Sequence, residues 1–251
     1  MNFEAQRDVT VQSGFSTNTS THLSFTGANN QIYTNNGVIN STGNFTIDKT
    51  NGTVTAATSL ILQPLQPLNI TSGTLYLNNN SNLMTGAITI GTNGKLVNES
   101  TTTITLGGDL SNSGTIDLQG GGAGCPETDS ILIRSNNATQ RSWTGAGKYR
   151  LVDVDVQNMG GTGTKNVFSG TNSGGNNATW VFNAGCPAAL VLTPSSVSVQ
   201  TGATQTFAAG GDSPWVAFCR SLFRAGAGGA WGRVDRTAGA VAAERLEEIA
   251  Q

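Results

Sequence analysis

Between residues 75 and 118 the chain carries Leu75-Tyr76-Leu77, Ala87-Ile88-Thr89-Ile90, Thr103-Ile104-Thr105-Leu106 and Thr115-Ile116-Asp117-Leu118. Apolar residues fall on every second position, many of them β-branched, which is the pattern of a strand with one buried face. Gly and Asn pairs lie between many of the clusters, where turns are needed. Outward from this stretch, the apolar clusters centre near residues 61, 69, 76, 89, 96, 105 and 117. The common step is about seven to nine residues, and three steps make a little over 20. That is the size of one turn of a three-sided β-solenoid, in which each turn stacks only on its neighbours. A sandwich needs strands about 8–12 residues apart joined by hairpins. Most strands here are too short and too close for it. The expected fold is therefore all-β: a parallel β-helix over residues 20–185, preceded by a lead-in at 1–19.

Composition agrees with that reading. The 251 residues include 33 Gly, 34 Thr, 25 Asn and 21 Ser, and the net charge is only −2. Disordered chains combine few aliphatic residues with high net charge, and this chain lacks the charge. Thr tolerates extended backbone, and stacked Asn side chains can hydrogen-bond along a solenoid axis. Thirteen Lys and Arg against fifteen Asp and Glu argue against binding nucleic acid through its phosphates. The single histidine, His22, excludes zinc motifs that need two. No apolar run approaches the ~20 residues of a membrane span.

The runs Gly43-Asn44-Phe45-Thr46-Ile47-Asp48, Ser72-Gly73-Thr74-Leu75-Tyr76-Leu77 and Gly107-Gly108-Asp109-Leu110-Ser111-Asn112-Ser113-Gly114-Thr115-Ile116 resemble repeats of large bacterial surface and secreted proteins. Those are parallel β-helices of the autotransporter-passenger and filamentous-adhesin type. The resemblance covers roughly residues 20–185. It implies an extracellular or cell-surface location, a structural or adhesive role, and surface glycans or proteins of a host or neighbouring cell as partners. It implies no cofactor.

A boundary is expected at Cys186-Pro187. Beyond it, Leu190-Val191-Leu192-Thr193-Pro194-Ser195-Ser196-Val197-Ser198-Val199 and Gln205-Thr206-Phe207 resemble the opening of a bacterial immunoglobulin-like domain, over 186–215. A complete sandwich of that kind needs nearly 100 residues, more than remain. Residues 216–251 have no Asn and nine charged residues. Alanine-rich helix formers run from Asp235 to Gln251, with Val241, Leu246 and Ile249 on one face. This tail reads as foreign to the rest, as a shifted reading frame would leave it. Residues 1–14 have no basic and apolar signal-peptide pattern, so the chain is expected to be part of a longer polypeptide.

Four sets of residues are candidates for chemistry. Asp153 and Asp155 alternate with Val152, Val154 and Val156, and residues i and i+2 of a strand share a face. Paired carboxylates perform glycoside hydrolysis or hold calcium, and the β-helix families resembled here include polysaccharide lyases and hydrolases. Lys148 and Arg150 lie just upstream. The alternative is a solvated strand face whose charges cancel. Trp143, Tyr149 and Trp180 offer aromatic faces broad enough for a sugar ring, or else they pack the core. Cys125 and Cys186 both precede Pro and are candidates for a disulfide in an oxidising compartment, or for two separate thiols. No motif assigns a metal site.

Overall fold

The computed structural model describes residues 2–17, 20–121 and 130–185, and two short strands beyond them, Val191–Thr193 and Ala208–Gly210. Two units divide the chain, Met1–Cys186 and Pro187–Gln251. In the first, every strand pairing is parallel, and about seven turns stack into a β-solenoid. Its helix content among the described residues is nil. In the second unit, Val191–Thr193 and Ala208–Gly210 pair antiparallel. Cys125, Cys186, the rest of 186–215 and the whole tail lie outside the described residues.

Each turn has three sides. A 14-stranded parallel sheet covers the first two, and a 6-stranded parallel sheet forms most of the third. The strands Phe45–Ala56, Leu68–Tyr76 and Ile88–Asn98 run along side one and continue around the corner onto side two. Side three is built from shorter pieces: Ile61–Leu62, Asn82–Met84, Thr103–Leu106, Ile131–Ser135, Val154–Gln157 and Thr171–Asn172. The ladder starts at Asn2–Ala5, which pairs with His22–Phe25. The stretch read as a lead-in therefore carries the first strands of the stack.

Register explains why the sequence alternates. Leu23, Phe45, Leu68, Ile88, Leu110 and Trp143 occupy one inward row on side one. Val54, Leu75, Leu96, Ile116 and Tyr149 form the matching row on side two, and Ile104, Ile133 and Val156 one on side three. Nearly all of these side chains are buried, each contributing roughly 1.5–3 kcal/mol on leaving water. Along side one the spacing from Phe3 through Leu23, Phe45, Leu68, Ile88 and Leu110 is 20, 22, 23, 20 and 22 residues. The next turn, from Leu110 to Trp143, takes 33. It carries extra residues between the strands Thr115–Gln119 and Ile131–Ser135.

Corners are made by two devices. Single residues in left-handed backbone turn the chain at Asn78 (φ 55°), Asp153 (φ 50°) and Asn158 (φ 56°), residue types that tolerate that region best after Gly. Buried polar side chains then satisfy backbone groups that the corners leave unpaired. Asn112 Nδ2 donates to the Lys148 carbonyl at 3.1 Å, and its Oδ1 accepts from Gly114 N at 3.0 Å. Asn82 Oδ1 accepts from Leu60 N at 2.9 Å. Asn176 Nδ2 donates to the Val156 carbonyl at 2.8 Å. Ser41, fully buried, bridges Thr21 N and Thr21 O at 2.9 Å each. These amides cap backbone more than they stack on one another as the sequence led us to expect.

At the corner between sides one and two, a glycine recurs. Gly52, Gly73, Gly94, Gly114 and Gly147 each immediately precede a residue of the paired row Thr53, Thr74, Lys95, Thr115 and Lys148. Close approach between turns dictates the choice. A Cβ on Gly94 would lie 2.1 Å from the Ile70 carbonyl oxygen, and one on Gly114 would lie 2.2 Å from that of Gly94.

Candidate functional site

Asp153 and Asp155 do not share a face. The left-handed corner at Asp153 interrupts the alternation between the strands Lys148–Val152 and Val154–Gln157. Asp153 is fully buried, and neither carboxylate oxygen has a hydrogen-bond partner. Asp155 sits on side three. Its carboxylate accepts from Arg134 at 2.8 Å and from the Ser173 hydroxyl at 2.5 Å. Lys148 and Arg150 belong to side two, where Arg150 lies 3.7 Å from Asp117. The four charged residues that sequence grouped together are thus split over two sides and a corner.

The aromatic trio is brought together, but inside the coil. Trp143 is 1% exposed and Trp180 5%. Their rings meet edge to face at 5.1 Å, and Trp143 stacks on Tyr149 at 6.1 Å. Trp180 Nε1 donates to the Gly160 carbonyl at 3.2 Å, and the Tyr149 hydroxyl donates to the Thr144 carbonyl at 3.2 Å. Burial raises the Tyr149 phenol above its usual range, and a hydrogen bond with Asn112 opposes the rise. The faces of both tryptophans are occupied by protein, so neither presents a platform to a sugar.

Two buried lysines were missed from sequence. Lys165 Nζ donates to the carbonyls of Thr162 at 2.7 Å and Gly163 at 3.0 Å, and lies 5.3 Å from the Tyr149 ring centroid and 5.8 Å from that of Trp180. Lys49 Nζ donates to the Thr26 carbonyl at 3.2 Å and to Gln31 Oε1. Burial holds both ammonium groups below the usual lysine range. The signal was parity: Lys49 continues the inward series Phe45, Ile47, and Lys165 shares the parity of buried Val167. Among the described residues, no three His, Cys, Asp or Glu side chains cluster as metal ligands.

The outer surface holds two hollows. An apolar one of about 370 Å³ at the first turns is lined by Phe3, Val11, Phe15, Leu23, Ile39 and Ile61, among others. A polar trough of about 650 Å³ follows the glycine row across successive turns. Thr50, Asn51, Thr53, Thr74, Thr92 and Asn93 line it, with Ser72, Lys95 and Thr115. Its two lysines are both engaged. The Lys49 ammonium turns into the coil, and Lys95 pairs with Asp117 at 3.3 Å. No helix among the described residues is long and apolar enough to cross a membrane. No family model matches the chain, and no curated protein or solved structure is detectably similar to it.

Proposed function

We propose that this chain is a non-enzymatic structural or adhesive segment of a secreted or cell-surface protein. The observation that carries the reading is the continuous parallel ladder from Asn2 to Asn183, held by inward Leu, Ile and Val rows. About seven turns at a strand spacing of ~4.8 Å make a stiff block roughly 30 Å long. On its outside the outward residues stand in rows, one per turn: Ser24, Thr46, Asn69, Thr89 and Ser111 on side one. Such a surface suits repeated polar contacts with a partner. Surface glycans, or proteins of a host or neighbouring cell, fit that description. The immunoglobulin-like resemblance of 186–215 agrees with a modular surface protein, and we place the chain within a longer polypeptide of that kind.

A carbohydrate-active β-helix is the competing reading. It would need carboxylates and basic groups converging on one cleft, and the strongest candidates are dispersed. The test is to incubate the full chain with a panel of polysaccharides and measure retention and bond cleavage side by side. Retention without new reducing ends or unsaturated uronates supports the proposal. Cleavage that Asp155→Ala abolishes would overturn it.

A further inference from the structure

We infer that the polar trough at the corner between sides one and two is the adhesive site, and that it takes an extended, neutral, hydroxyl-rich glycan chain lying along the solenoid axis. This rests on the adhesive reading. Three observations converge on it. The first is shape. The glycine row places no side chain at the corner in five successive turns, and the trough of about 650 Å³ runs across those turns. A ligand along it meets an equivalent set of groups at each ~4.8 Å step between strands.

The second is hydrogen-bonding capacity. Corner amides elsewhere are occupied with backbone, as at Asn82, Asn112 and Asn176. The side chains of Thr50, Thr53, Thr74, Thr92, Asn93 and Thr115 face the trough with no side-chain bond to protein. Hydroxyls and amides donate and accept equally well, which matches the hydroxyls of a sugar. The third is charge. The only charged side chains in the lining are Lys49, whose ammonium is held inside the coil, and Lys95, which pairs with Asp117. An anionic polymer finds no uncompensated cation in the lining itself.

The experiment measures affinity of the full chain for soluble neutral polymers (dextran, mannan, xylan oligosaccharides) and for anionic polygalacturonate. It is repeated with the double variant Thr53→Val, Thr74→Val, which removes two hydroxyls and keeps β-branched shape. A control double variant on side one, Thr89→Val, Ser111→Ala, is compared, and thermal unfolding is recorded for each. The expected result is binding to at least one neutral polymer, weakened roughly tenfold in the trough variant and unchanged in the control. Binding that the control variant lowers and the trough variant does not would overturn the site while sparing the adhesive reading. Binding confined to polygalacturonate would overturn the ligand class. Retention on neither set would count against the glycan-adhesive reading and the site together, while protein-partner adhesion would stand.

Discussion

Replacing Gly94 by Ala tests the stacking geometry at its tightest point. The added Cβ would sit 2.1 Å from the Ile70 carbonyl oxygen and 3.0 Å from its carbon. Gly94 does not have left-handed backbone, so the cost is purely a collision with the preceding turn. Relief to an ordinary contact of 3.0 Å or more requires the turns to separate by about 0.9 Å at this corner. The neighbouring interturn bonds, such as Leu68 N to Ala87 O at 2.9 Å, would stretch beyond useful length if they followed. One or two lost backbone bonds cost roughly 0.5–1.5 kcal/mol each, and overpacking adds roughly 1–3 kcal/mol. The expected destabilisation is about 2–5 kcal/mol, a large part of a typical total. Gly163→Ala is the comparison. Its φ is +73° and nothing lies within 4 Å of the new methyl, so only the left-handed penalty of roughly 1–2 kcal/mol applies. Urea unfolding followed by far-ultraviolet circular dichroism reads both. If Gly94→Ala costs no more than Gly163→Ala, the close approach of successive turns at this corner is wrong.

Other substitutions probe the interior and the surface. Asp153→Asn keeps a residue type that accepts left-handed backbone and removes an unpartnered buried carboxylate. It should stabilise the fold by about 1–2 kcal/mol in urea titrations, and a loss of stability would mean that the carboxylate has a partner. Lys165 has its ammonium pKa lowered by burial, so between that lowered value and the ordinary 10.5 the unfolded chain binds more protons than the folded one. Stability then rises with pH through that window. Lys165→Met should flatten the rise, and an unchanged slope would show that Lys165 is not its source. The double variant Asp153→Ala, Asp155→Ala should leave glycan retention unchanged, because neither residue lines the trough; a tenfold loss would return them to the site.

The fold was legible because its two determinants are local. Period-two alternation marked the strands, and the recurrence of clusters at a little over 20 residues marked the turn of the coil. The same logic failed at Asp153, where one left-handed residue ends a strand and reverses the parity. Val152 to Val156 alternates perfectly in sequence, and nothing in it announces the corner. The aromatic trio was found as a group, since Trp143, Tyr149 and Trp180 fall on stacked inward rows. Their burial depends on the turn spacing, which changes from 33 residues before Trp143 to 18 after it. The trough was written in the chain as Asn51-Gly52-Thr53, Ser72-Gly73-Thr74, Asn93-Gly94-Lys95 and Ser113-Gly114-Thr115. Part of that series supported the family resemblance. Its meaning as one continuous row needed the register, because the intervals between the glycines are unequal.

The parallel register can be read directly from interstrand nuclear Overhauser effects along Thr46, Asn69, Thr89 and Ser111. The account predicts amide-to-α contacts linking each of these residues to its partner in the adjacent turn, with no close α-to-α contacts between facing residues. Strong α-to-α contacts between facing strands would mark antiparallel pairing and would contradict the solenoid.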